Sequence, residues 1–189
     1  FSSTAAVYGE DQYLPIDEKH PVEPMNTYGE TKLMMERMIK WYANAYNINY
    51  VIFRYFNVCG AVEDGKLGYD KQPSEHLIPN VMKGALGIDK FELTYATVDT
   101  PDGSPIRDYI DVNDLVDAHF KAFMYLNEGG SSEIMNLGTG KGFSVEEIIS
   151  EVEKLVNVEI PRELGETRAG ENAKLYANYD RAAELLEWK

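Results

Sequence analysis

The chain has 189 residues, of which 44% are apolar and 26% charged, with 18 Lys and Arg set against 32 Asp and Glu. That is a globular composition, long enough for one sizeable core or two incomplete ones. The net charge of −14 repels nucleic acid and anionic membranes, no stretch nears 18 consecutive apolar residues, and the single cysteine, Cys59, rules out an internal disulfide and fits a reducing cytoplasm.

The sequence opens Phe1-Ser2-Ser3-Thr4 without a Met and closes Leu185-Leu186-Glu187-Trp188-Lys189 with a helical pattern still running. Both ends read as cut, so the expectation is a piece of a longer protein. Residues 24–47 read as a long helix. Pro24 precedes it, Thr27 with Glu30 forms a capping box, and Asn47 suits a left-handed C-cap. Met35, Ile39, Tyr42 and Tyr46 make one apolar row; Met34, Met38, Trp41 and Ala45 make a second. Two rows are one more than a single sheet needs, which predicts burial against two partners.

Residues 50–56, Tyr-Val-Ile-Phe-Arg-Tyr-Phe, form a continuous run of β-formers, the pattern of a strand buried on both faces of a parallel sheet. Cys59 follows and reads as an ordinary buried thiol. Next come a polar loop with several glycines, a helix over 76–85, a strand over 91–97 and a Pro101-Asp102-Gly103 turn. Residues 106–112 read as a strand and 115–126 as a helix capped by Asn113. A short strand spans 134–137, and Ser144 with Glu147 caps a helix running through Leu155. Strands and helices alternate, so the fold class is α/β.

Tyr28-Gly29-Glu30-Thr31-Lys32 sets a phenol and an ammonium one helical turn apart. An ammonium near a phenol favours the phenolate, a usable general base near neutral pH. The same pattern also suits a Tyr and a Lys on a helix surface. A hydroxyl at Thr4, 24 residues before position 28, makes the Ser/Thr–Tyr–Lys combination. A second glycine pattern, Gly138-x-Gly140-x-Gly142, superficially suggests a dinucleotide fingerprint. Its third glycine should fall at Phe143, so it reads as a tight strand-to-helix turn instead.

Six segments carry a family resemblance. They are Ser-Ser-Thr-Ala-Ala-Val-Tyr-Gly at 2–9, Tyr-Gly-Glu-Thr-Lys at 28–32, Arg-Tyr-Phe-Asn at 54–57, Thr-Pro-Asp-Gly at 100–103, Arg-Asp-Tyr-Ile at 107–110 and Asn-Leu-Gly-Thr-Gly at 136–140. In order and spacing they resemble the extended short-chain dehydrogenases, and among those the UDP-glucose 4-epimerase family. The resemblance implies the C-terminal part of an extended Rossmann-type fold with a smaller α/β substrate-binding domain. Residues 1–60 would end the NAD-binding domain and 61–189 would mainly bind the nucleotide sugar, with 106–126 returning to the Rossmann part. The phosphate-binding glycine fingerprint would precede Phe1, so the piece alone is expected to be inactive.

The resemblance also implies roles. Thr4 and Tyr28 would flank the sugar hydroxyl, and Lys32 would hold the cofactor ribose; these three are the expected catalytic residues. Ser2, Ser3, Tyr28, Lys32 and Tyr55 would approach NAD. Asn57, His76 and Leu77 would approach the diphosphate and uridine. Arg107 and Arg168 would clamp the diphosphate, which two guanidinium groups in an acidic protein can neutralise. The plainer reading of Arg107 is an ion pair with Asp108 or Asp111, and of Arg168 a solvated loop arginine. Tyr109 and Val145 would line the nucleotide pocket, Glu171 would accept from ribose hydroxyls, and Leu175 would face the hexose. No metal is expected.

The implied activity is interconversion of UDP-glucose and UDP-galactose through transient oxidation at C4, in a cytoplasmic homodimer joined through the 24–47 helix. Alternatives are a related epimerase of N-acetylated or uronic sugars, and a non-catalytic truncated domain. Ala5-Ala6 stands where a 4,6-dehydratase needs an Asp-Glu pair. Three departures from the family pattern stand out. Asp111 replaces a usual His, His76 stands where Asn is common in some members, and residues 93–97 replace part of the usual strand end on the uracil side.

Overall fold

The computed structural model describes residues 1–165 and 172–189. Strand β1 (Ser2–Thr4) ends in a 3-10 turn at Ala5–Val7, and helix α1 (Thr27–Tyr46) follows. Its cap is Asn26, whose side chain accepts from the Gly29 N–H at 2.8 Å. Thr27 is therefore the first helical residue and not the cap, because the extended Asn26 already reaches the amide three residues on. Asn47 closes the helix in the left-handed conformation at φ 53°, as expected.

Strand β2 (Val51–Tyr55) leads into β3 (Asn57–Cys59), then α2 (Leu77–Ala85) and β4 (Phe91–Leu93). The strand expected over 106–112 is two: β5 (Ile106–Arg107) and β6 (Tyr109–Asp111), split at the buried Asp108. Helix α3 (Val112–Asn127) is capped by Asp111, whose Oδ1 accepts from the Asn113 N–H at 2.7 Å, so Asn113 is a donor and not the cap. Then come β7 (Glu133–Leu137), β8 (Phe143–Ser144), and α4 (Val145–Val156) with the expected Ser144/Glu147 capping box complete. The chain continues through β9 (Arg162–Leu164), β10 (Lys174–Leu175) and α5 (Asp180–Leu186). Glu187 stops α5 in the left-handed conformation. Trp188 turns back into the core and donates from Nε1 to the Asp114 carbonyl at 2.8 Å, so the helical pattern does not run to the last residue.

The central sheet has the order β1-β2-β7, all parallel. Two parallel pairs, β3-β6 and β4-β9, and a small β10-β5-β8 sheet complete the strands. Successive side chains of β2 point to opposite faces. Val51 and Phe53 pack with Ala118 and Ala122 of α3. Arg54 points the other way and meets Glu36 of α1, so the two helices cover opposite faces. A second cluster joins Val7, Tyr8, Ile16, Leu33 and Phe56, and a third joins Val81, Phe91, Ile149 and Ile160 around α2, β4 and α4.

The apolar rows of α1 need correcting. The row against the sheet is Gly29, Leu33 and Glu36. Met34, Met38, Trp41, Tyr42 and Tyr46 are exposed in the single chain, Trp41 at 75%. Gly and Glu do not register in an apolar count, so the sequence pattern does not show the buried row. No helix among the described residues is long and apolar enough to cross a membrane.

Candidate active site

Gly29 is what brings Tyr28 to the end of β1. A Cβ on Gly29 would stand 2.4 Å from the Ala6 carbonyl oxygen, so only glycine lets α1 sit this close to the turn after Thr4. Thr4 and Tyr28 consequently line one cavity, of about 500 Å³. Lys32, one turn along, donates from Nζ to the Ser2 carbonyl at 2.9 Å and lies 5.8 Å from the Tyr28 ring centroid. The three groups expected to carry the chemistry thus meet at one strand end.

A buried ionic network holds this corner. Glu36, two turns beyond Tyr28, is fully buried and accepts from Arg54 Nε at 3.1 Å and Nη2 at 2.7 Å. Ser3 Oγ donates to the same carboxylate at 2.5 Å. Helix α1 and strands β1 and β2 are therefore locked in register by one bidentate pair. The Arg54 guanidinium lies 4.8 Å from the Tyr8 ring centroid, and the Tyr8 hydroxyl donates to Asn136 Oδ1 at 2.6 Å. Burial is the main cause pushing the Tyr8 phenol up to about 12, so it stays protonated as that donor.

The opposite wall comes from other elements. The cavity is lined by Tyr55, Asn57, Cys59, His76, Leu77, Arg107, Tyr109 and Val145 among others. His76 is the N-cap of α2 but makes no side-chain cap bond, and the first turn carries no acidic residue, so the positive end of the helix borders the cavity. Arg107 donates from Nη1 to the Ile106 carbonyl at 2.9 Å. Burial pushes the Tyr109 phenol up to about 12; it also raises the Cys59 thiol, with the Asp111 carboxylate adding to it. Cys59 is half-buried at the cavity, and a raised thiol there is a resting one.

Ser3 also lines the cavity, whereas Ser2 and Lys32, bonded to each other, do not. Leu175 does not line it: its side chain packs against the Tyr8, Ile16 and Phe56 cluster. Arg168 and Glu171 lie outside the described residues. Among the described residues, no group of His, Cys, Asp and Glu could hold a metal ion.

Asp108 decides the second glycine turn. It is fully buried, and its Oδ1 accepts from the Thr139 N–H and Oγ1, both at 2.7 Å. Its Oδ2 accepts from the Gly140 N–H and the Ala177 N–H, both at 3.0 Å. The amides that would cradle a phosphate are already turned onto a carboxylate of the chain itself. Gly138-x-Gly140-x-Gly142 thus already holds an internal anion.

Glu36, Asp108 and His119 were missed in the sequence. A cue existed for the first: Arg54 sits inside an otherwise apolar run, and a buried arginine requires a carboxylate.

The sequence profile of the NAD dependent epimerase/dehydratase family matches residues 1–138. The chain belongs to that family. A UDP-glucose 4-epimerase of Lactobacillus helveticus is 44% identical over 190 residues, covering all of this chain and 58% of that protein. The crystal structure of UDP-glucose 4-epimerase from Brucella ovis in complex with NAD superposes with a TM-score of 0.92 at 44% identity, over all of this chain and 58% of that one. A Bifidobacterium longum UDP-glucose 4-epimerase in complex with NAD+ and UDP gives 0.92 at 38% identity, over all of this chain and 57% of that one. The chain therefore spans a little under three-fifths of these relatives. Its fold is a part of the extended Rossmann-type architecture they share.

Proposed function

We propose that the protein containing this chain is an NAD-dependent UDP-glucose 4-epimerase that interconverts UDP-glucose and UDP-galactose by transient oxidation at C4. The observation that carries this reading is a single cavity with Thr4 and Tyr28 on one wall and Arg107 with the α2 N-terminus on another. One wall offers proton chemistry, and the other offers positive charge in a chain of net charge −14. A nucleotide sugar needs both.

The residues fit NAD at its nicotinamide ribose end. Lys32 Nζ, on the Ser2 carbonyl one turn from Tyr28, would hold the ribose hydroxyls, and Tyr55 lines the cavity. Among the described residues no open cradle serves the adenosine diphosphate, since Asp108 fills the glycine turn that resembles one. Bound NAD would supply a reversible hydride acceptor for C4. Tyr28 takes the proton of the 4-hydroxyl and gives it back, with the Thr4 hydroxyl holding the same oxygen. Arg107, the amide end of α2 and, by family position, Arg168 and Glu171 hold the uridine diphosphate. Binding energy is thus collected away from C4, and a loosely held sugar can present its other face.

Residues 1–60 and 106–126 make up the nucleotide-binding part in this reading, and the rest of 61–189 the sugar-nucleotide part. The protein acts in the cytoplasm, binds no nucleic acid, and forms a homodimer through the exposed face of α1. That face, with Met34, Met38, Trp41 and Tyr42, is the apolar surface that a second α1 would cover. Sedimentation of the intact protein should give a dimer, and Trp41→Glu should shift it towards monomer. A wild-type monomer at micromolar concentration sinks the dimer.

Tyr28→Phe in the intact protein should lower turnover by about 10²–10⁴-fold, the loss of a general base, while Thr4→Ser stays near wild type. Near-full epimerase activity in Tyr28→Phe sinks the reading. Epimerisation of N-acetylated or uronic sugars is the second reading, and kcat/KM with the corresponding UDP-sugars separates the two. Leu175 packs half-buried against the Tyr8, Ile16 and Phe56 cluster, and the same kcat/KM comparison in Leu175→Tyr tests whether it gauges sugar size.

A further inference from the structure

A thread of hydrogen bonds leaves the cavity wall and enters α3. The Tyr55 hydroxyl lies 2.7 Å from Ser2 Oγ and 2.6 Å from His119 Nε2. His119 Nδ1 lies 2.8 Å from the Leu115 carbonyl oxygen. A carbonyl can only accept, so Nδ1 carries a hydrogen. In the neutral imidazole Nε2 is then bare and accepts, which makes Tyr55 the donor to His119. The Tyr55 oxygen is left with acceptor capacity alone, and the Ser2 hydroxyl donates to it. Every hydrogen in the thread points the same way, from Ser2 through Tyr55 and His119 to Leu115. The ring is held in that orientation by Phe53, 5.0 Å away between centroids, and by Tyr55 at 5.6 Å.

We propose that His119 is a positioning residue: it draws the Tyr55 hydrogen towards α3, so that Tyr55 presents an acceptor and not a donor to the cavity. The ligand group that meets Tyr55 must then be a donor. On the reading above, from which this identity is taken, that group is the amino end of a primary carboxamide, as in nicotinamide. A carboxamide turned the other way would set its oxygen against the Tyr55 lone pair. His119 therefore selects one of the two carboxamide orientations without touching the ligand.

The hydrogen positions can be tested with no cofactor present. In protein labelled with 15N-histidine, long-range 1H–15N correlation should show His119 as the Nδ1-protonated tautomer, its signals assigned by their loss in His119→Gln. An Nε2-protonated His119 overturns the proposal whatever the protein catalyses. The second measurement is NAD affinity of the intact protein in a double-mutant cycle of His119→Phe and Tyr55→Phe. Each single change should weaken binding about fivefold, as for one neutral hydrogen bond, and the double variant should be no weaker than Tyr55→Phe. His119→Gln, whose carboxamide oxygen can accept from Tyr55, should recover most of the loss. An equal loss from His119→Phe in both backgrounds means that His119 only fills space, and the proposal falls. Wild-type protein that binds no NAD overturns the functional reading instead, while the tautomer result still decides the role of His119.

Discussion

Strands β1 and β7 lie in the same parallel sheet, and glycine shapes the turn after each: Gly29 of α1 packs on the first, and Gly138, Gly140 and Gly142 lie within the second. After β1, the turn at Ala5–Val7 is pressed by α1 through Gly29, and beyond Thr4 the space stays open as the cavity. After β7, the turn at Gly138–Gly142 is filled by the Asp108 carboxylate, which takes three backbone N–H groups and a hydroxyl. Read as letters, the second turn looks more like a phosphate site than the first. What separates them is what the amides meet: Ala6 N–H bonds the adjacent Thr4 Oγ1 and Tyr8 N–H the Ala5 carbonyl, whereas Thr139 and Gly140 N–H hold a carboxylate brought in from β5–β6. A glycine pattern says only that backbone can approach closely, and the nearest buried carboxylate says whether a ligand can.

The largest effect that would sharpen this contrast concerns the pair behind the open turn. Arg54→Met leaves the fully buried Glu36 with an uncompensated charge, and such a loss costs about 3–5 kcal/mol. Denaturant unfolding should show it, and turnover should fall with it because Glu36 keeps the Tyr28 helix in register with β1. An unchanged midpoint would mean that the ionic lock does not hold the catalytic corner.

Next in size is the closed turn. Asp108→Asn keeps the shape but replaces one acceptor oxygen with an NH₂ group. Whichever way the carboxamide turns, that NH₂ faces a backbone N–H: that of Thr139 at one oxygen position, those of Gly140 and Ala177 at the other. Backbone donors cannot reverse, so the cost should be about 1–3 kcal/mol for buried groups left unsatisfied. Chemical denaturation of the variant measures it. A neutral substitution would mean that the turn does not depend on the carboxylate, and that the contrast between the two turns fails.

How much of this was legible depends on where the physics is local. The long helix, its left-handed Asn47 stop, the buried β2 run and the Ser144/Glu147 box all follow from neighbours within four residues, and all stand. The strand break at Asp108 could not be read, because its cause is four donors from residues 139, 140 and 177. Nor could the inward row of α1, where a glycine and a glutamate mark the buried side. Several residues of the recognised segments, namely Tyr8, Arg54, Asp108 and Asn136, bind one another or the backbone inside the core. They carried the family identity while serving the scaffold. Thr4, Tyr28 and Arg107 line one cavity, and Lys32 meets Tyr28 and the Ser2 carbonyl.

The smallest effect tests why Asp108 should be costly at all. Asp102 sits in the Pro101–Gly103 turn, and it too accepts several bonds. Ser144 Oγ donates to its Oδ2 at 2.5 Å, and the Ser104 N–H and Oγ donate to its Oδ1, both at 2.9 Å. Burial alone would raise this carboxyl, but the bonds from Ser144 and Ser104 outweigh it and hold the group below its ordinary value of 3.8. A carboxyl depressed in the folded state adds stability that is present above its unfolded value and is lost as pH falls through the lower, folded one. The contribution should thus be complete at neutral pH and fade only below about pH 4, where the unfolded group begins to protonate. The side chain is largely exposed, so screening keeps the total under about 1 kcal/mol. Asp102→Asn should cost still less than that screened total suggests. The Asn oxygen can take the Oδ1 place and keep both Ser104 bonds, while its NH₂ donates to Ser144 Oγ, which keeps its bond from the Glu147 N–H and turns its own hydrogen away. Unfolding midpoints of wild type and Asp102→Asn should therefore differ slightly at pH 7 and converge below pH 4. A loss as large as that of Asp108→Asn would show that reversible hydroxyl partners give no relief, and that the stiffness of backbone donors is not what closes the turn after β7.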